Sequence, residues 1–98
     1  MIETEESNNW VKIRLPAEFN FKLHREFRES YIHRPPGLCY EIDFKAVTTL
    51  DSAAMGMLLL MRKQCGDEDA IIHLVNGSSK IVQLLKLSKF DLFFTIPQ

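Results

Sequence analysis

The sequence contains no run of roughly 18 apolar residues, the length a membrane helix needs. Its longest apolar stretch, Ala53 to Met61, is nine residues and is interrupted by Gly56, so direct membrane insertion is not expected. Glycine is scarce, at four residues, and none falls in a phosphate-cradling G-x-x-x-x-G-K or G-x-G-x-x-G pattern. The three histidines, His24, His33 and His73, are scattered, with no H-x-x-x-H or Cys/His cluster, and no metal or other cofactor is expected. There is no G-x-S-x-G elbow for a serine hydrolase. Asp43 and Asp51 are acids at strand ends that could hold a divalent cation; they read instead as a strand terminator and a loop-shaping residue. The formal net charge of −1 comes from interspersed acids and bases. Without a basic stripe, nucleic-acid binding has no support. Cys39 and Cys65 lack C-x-x-C spacing and sit among apolar neighbours, as reduced thiols do in a cytoplasmic protein. The acidic start, MIETEESNN, has neither the basic nor the apolar part of a secretory signal. A cytoplasmic, non-enzymatic protein is expected, with no catalytic residues.

What is present suits one compact domain spanning residues 1–98. The chain has 98 residues, 46% hydrophobic and 26% charged, ordinary values for a core inside a polar shell. Ile2 to Glu5 reads as an edge strand, Ser7-Asn8-Asn9 as a turn, and Trp10 to Leu15 as an alternating, half-buried strand ended by Pro16. Asn20 is a good N-cap for a helix over Phe21 to Tyr31, with Phe21, Leu23, Phe27 and Tyr31 near one face. Pro35-Pro36-Gly37 breaks the chain before a strand at Leu38 to Phe44. Lys45 to Leu50 reads as a short crossing segment, and Gly66 to Asp69 as an acidic turn. Ala70 to Val75 is nearly all apolar, as in a central strand covered on both faces. Ser78 or Ser79 caps a helix through Ser88, and Leu92 to Ile96 reads as a closing strand. The order ββαβαβαβ implies α/β architecture with a mostly parallel sheet.

The stretch Thr48 to Arg62, TTLDSAAMGMLLLMR, organises the rest. An Asp51-Ser52 pair before apolar residues marks a helix start, in which either side chain caps the free N–H groups. The run lacks β-branched residues, so helix is favoured over strand. At about 100° per residue, Ala54, Met55, Leu58 and Leu59 span one face, and Met57, Leu60 and Met61 another, flanked by Gly56 and Lys63. Both faces are apolar. The second is either a surface for a partner, to which methionines adapt, or part of a helix buried more deeply than average.

Asp51-Ser52-Ala53-Ala54-Met55-Gly56 resembles the D-S-[ST]-G-L-G signature of the STAS domain, the fold of bacterial anti-sigma factor antagonists. Leu15-Pro16-Ala17-Glu18-Phe19-Asn20 resembles that family's L-x-G-E-L-D segment, with Ala17 and Asn20 in place of glycine and aspartate. Ile42-Asp43-Phe44 and the unit from Asn76 to Leu87 also match in spacing. Ala54 stands where glycine is usual, Ser88-Lys89-Phe90 where S-G-L is more common, and the usual C-terminal helix is missing from the pattern. The resemblance implies a STAS-like fold with Ser52 as phosphoacceptor of a serine kinase. It also implies a partner surface drawn from Asn20, Asp51, Ser52, Ala53, Gly56, Met57, Leu60 and Met61, with Met55, Leu58 and Leu59 turned inward. The partners it implies are an anti-sigma factor or serine kinase of the GHKL type and a PP2C-type phosphatase, in a partner-switching system. The alternative implied function is a constitutive structural subunit of a transporter or other complex, with no phosphoswitch.

Overall fold

The computed structural model describes residues 1–97. Its backbone begins with a hairpin of β1 (Glu3–Ser7) and β2 (Trp10–Arg14), paired antiparallel with Ser7 opposite Trp10. Asn8 and Asn9 make the turn at φ 51° and 69°. Two successive left-handed residues form the tight turn whose twist matches that of the flanking strands, and asparagine tolerates it better than most residues. β1 is exposed along its whole length. Its three glutamates keep this sheet edge from pairing with another chain.

Beyond β2 the sheet is parallel. β4 (Cys39–Asp43) pairs with β2, and β6 (Ile72–Val75) pairs with β4, in the order β1-β2-β4-β6. Val11, Ile13, Tyr40, Ile42, Ile72 and Leu74 fall on one face and are buried. α1 (His24–Glu29), α2 (Ser52–Gln64) and α3 (Ser79–Leu87) cover that face, contributing Phe27, Ala54, Leu58, Met61, Ile81 and Leu85 to the same core. The opposite face carries the Lys12–Glu41 ion pair at 3.1 Å and the Trp10 ring on His73 at 5.0 Å. Helices therefore cover one side of the sheet. His73 and Val75 of β6 are only half-buried, which corrects the expectation of a strand covered on both faces.

Three other expectations change. Residues Leu92 to Ile96 do not form a strand: Phe90–Leu92 is a 3-10 turn. Only Thr95 bridges to the sheet, donating to the Ile72 carbonyl at 3.0 Å and accepting from the Leu74 N–H at 2.8 Å. The buried residues here are Phe90 and Phe94, a helical rather than an alternating spacing. Among the described residues no α-helix follows α3. The expected first helix is divided into a 3-10 turn, Phe21–Leu23, and α1. The segment read as a simple crossing contains β5 (Thr49–Leu50), which pairs in parallel with β3 (Glu18–Phe19) in a second small sheet. Thr48 strengthens the junction by donating its N–H and its hydroxyl to the Ala17 carbonyl at 2.8 and 3.2 Å. This pairing places the start of α1 beside the start of α2.

Candidate functional site

α2 begins with a clear division of labour. Asp51 has extended backbone, φ −100° and ψ 174°. Its Oδ1 accepts from the Ala54 N–H at 2.8 Å, so Asp51, not Ser52, is the N-cap. Ser52 is the first helical residue and is exposed. Among the described residues its hydroxyl has no hydrogen-bond partner. It stands beside N–H groups that a helix start leaves without internal partners.

Asn20 performs the same capping task across the junction. Its Oδ1 accepts from the Lys22 N–H at 2.9 Å and starts the 3-10 turn. Phe21 follows. The sequence groups it with Leu23, Phe27 and Tyr31 near one face; it is 59% exposed, whereas Phe27 and Tyr31 are buried, and its ring stacks on His24 with centroids 4.4 Å apart. A predominantly apolar groove of about 330 Å³ lies between the two helices. Phe21, His24, Phe27, Arg28 and Tyr31 form one wall; Ala53, Gly56, Met57 and Leu60 form the other. Leu60 is 48% exposed, and Met57 is half-buried against the core.

Of the residues implied as a partner surface, Ala53, Gly56, Met57 and Leu60 therefore share one wall, and Asp51 and Ser52 stand exposed at its start. Met61 does not belong with them, because it is 0% exposed in the core. It follows Ala54 by seven positions and Leu58 by three, and so falls on their buried stripe. Leu59, expected inward, is 40% exposed. The α1 wall was absent from the sequence-derived surface. Its Phe21, His24, Arg28, Tyr31 spacing is visible in the sequence, but the register of α1 against α2 depends on the small β3–β5 sheet.

The strand-end acids do not converge. Asp43 is buried, its Oδ1 accepting from the Lys45 N–H at 2.9 Å and the Asn76 amide at 3.0 Å, whereas Asp51 is committed to its cap. Among the described residues no group of three or more His, Cys, Asp and Glu could hold a metal ion. Cys39 and Cys65 are free thiols, half-buried in a separate concavity of about 520 Å³ with Tyr31 and Tyr40. Burial pushes the Cys65 thiol up and both phenols up to about 12. Tyr31 donates its hydroxyl to Gln64 Oε1 at 3.2 Å. No helix among the described residues is long and apolar enough to cross a membrane.

The fold has counterparts in known proteins. The chain is 38% identical over 88 residues to a STAS-domain containing protein of Pseudomonas aeruginosa (strain UCBPP-PA14), covering 88% of this chain and 86% of that protein. An anti-sigma-factor antagonist (STAS) domain protein from Planctomyces limnophilus superposes with a TM-score of 0.81 at 16% identity, over 99% of this chain and 90% of that one. The anti-sigma factor antagonist SpoIIAA in its unphosphorylated form superposes with a TM-score of 0.80 at 17% identity, over 100% and 89%. The family profile of the STAS domain matches residues 1–98; with the parallel sheet, its one-sided helical cover and the Asp-capped α2, this establishes that the chain belongs to the STAS domain family.

Proposed function

We propose that this chain is a phosphorylation-controlled protein-binding regulator, an anti-sigma factor antagonist in a cytoplasmic partner-switching system, acting as a single domain by docking rather than catalysis. The observation that carries the reading is the position of Ser52: an exposed hydroxyl, unpartnered among the described residues, at the first residue of α2 and directly before Ala53 of the groove wall. In its unmodified form the chain docks an anti-sigma partner, a serine kinase of the GHKL type, through the start of α2 and the groove wall. The kinase phosphorylates Ser52, and a PP2C-type phosphatase reverses the modification. The likeness in fold to SpoIIAA, a protein described by its phosphorylation state, supports this reading.

The physical consequences are specific. A phosphate adds about −1.5 to −2 charge at pH 7. A helix N-terminus offers free N–H groups and a favourable dipole, so the fold tolerates the modification. A docked partner does not, because covering an unpaired phosphate beside Asp51 costs several kcal/mol of desolvation. A loss of only about 3 kcal/mol weakens binding roughly a hundredfold. Phosphorylation then releases the partner without a large conformational change. The test is phosphopeptide mapping of the chain from its host with the phosphatase active and absent, followed by titration of Ser52→Asp and Ser52→Ala against the partner. A phosphate on Ser52, and much weaker binding by the aspartate variant, are expected. Equal affinities of the two variants refute the switch.

A further inference from the structure

The groove between α1 and α2 is apolar inside but charged at its rim. Its α1 wall carries Arg28 and His24. The acids of α1 are occupied elsewhere: Glu26 accepts from the Ile2 N–H at 2.6 Å, and Glu29 meets His33 at 3.0 Å. Arg28 has no ion-pair partner among the described residues. No carboxylate lines the groove, so Arg28 is the formal charge on its walls.

The α2 wall has a different character. Ser52, Gly56 and Leu60 recur every four residues and lie in one exposed row. At Gly56 the row is bare backbone, and a Cβ built there meets nothing within 4 Å. From Ala53 to Leu60 the wall runs about 10 Å, or two helical turns. The result is a short slot with apolar edges at Phe21, Met57 and Leu60, a cation on one bank, and Ser52 at its mouth.

We infer that this slot receives one amphipathic helix of a protein partner, with apolar residues at i, i+3 or i+4, and i+7, and an acidic residue set against Arg28. A helix fits because the slot is bounded by two helices and offers no strand edge, and helices bind such grooves through side chains at that spacing. The acidic residue follows from an exposed cation with nothing to pair it, since interfaces match potentials of opposite sign. The inference rests on the proposed role of Ser52 and adds how the phosphate acts. Modification sets a second anion beside Asp51 at the mouth of a slot whose occupant is itself acidic. Like-charge repulsion then joins desolvation in opposing the partner, and that component is weakened by salt.

The experiment needs no native partner. A display library of helical peptides, randomised at apolar and charged positions, is panned against the full chain, and the selected peptides are titrated by fluorescence anisotropy. Enrichment of acidic amphipathic peptides is expected. Leu60→Ser and Arg28→Glu, both at surface side chains, should weaken them by about tenfold or more, with circular dichroism confirming that each variant is folded. Ser52→Asp should weaken them several-fold at low salt and less at high salt. No enrichment, enrichment without acidic bias, or binding indifferent to Leu60→Ser and Arg28→Glu overturns the assignment of the slot. Loss with those two variants but none with Ser52→Asp at any salt concentration overturns the electrostatic link. The switch reading fails separately, if phosphopeptide mapping finds Ser52 unmodified.

Discussion

Gly56→Ala offers a test in which stability and binding move in opposite directions. Gly56 lies inside α2 with ordinary helical backbone. Glycine there costs about 0.8–1 kcal/mol relative to alanine, because it gives up more backbone freedom on folding. The new methyl group meets nothing within 4 Å outside its own helix turn, so neither a clash nor a packing gain alters that figure. The expected outcome is a gain of about 1 kcal/mol, which in a chain of this size raises the thermal midpoint by roughly 4–8 °C. The same methyl stands on the floor of the slot, where a docked helix would lie against bare backbone. Overpacking of that kind costs about 1–3 kcal/mol, or roughly fivefold to a hundredfold in affinity. Thermal unfolding followed by circular dichroism measures the first effect, and titration of the selected peptides measures the second. A lower midpoint refutes the description of Gly56 as an open helical position. A higher midpoint with unchanged affinity refutes its use by a partner.

Asp51→Ala removes the α2 cap and is expected to cost about 1 kcal/mol, read as a lower denaturation midpoint, while Ser52→Ala leaves that midpoint within about 0.5 kcal/mol; equal losses would return the capping role to Ser52. Met61→Ala should cost about 2–5 kcal/mol, because the side chain is wholly buried; a denaturant titration showing no more than a surface effect would restore Met61 to the partner face. Tyr31 and Tyr40 should make the fold sensitive to alkali. Burial holds their phenols up at about 12 in the folded chain, against about 10 unfolded. Their contribution is therefore complete below about pH 10 and is lost as pH rises toward about 12. Denaturation midpoints measured with tyrosinate absorbance between about pH 9 and 12 check this, and phenols that titrate near 10 in a still-folded chain would refute their burial.

Local chemistry was enough to read the hairpin, the parallel order and the starts of α2 and α3. Asn8-Asn9 supplies the left-handed turn, alternation marks β2, and Asp51 and Ser78 each accept from an N–H three residues ahead. These features depend only on residues a few positions apart, and the same holds for Ser52, whose place at a helix start follows from its neighbours. What local pattern leaves open is which faces meet. α2 is apolar nearly all round, so its sequence could not choose between Leu59 and Met61 for the core. The choice came from packing on the sheet, which put Met61 on the stripe of Ala54 and Leu58. The chain after α3 is apolar enough for a strand, yet Phe90 and Phe94 are both buried in the core, and among the described residues only Thr95 bridges to β6. The second wall of the groove depended on the β3–β5 pairing, a contact between residues about thirty positions apart. Periodicity names the residues that share a face of one element; only long-range pairing and burial decide which faces become neighbours, and a groove is made from two.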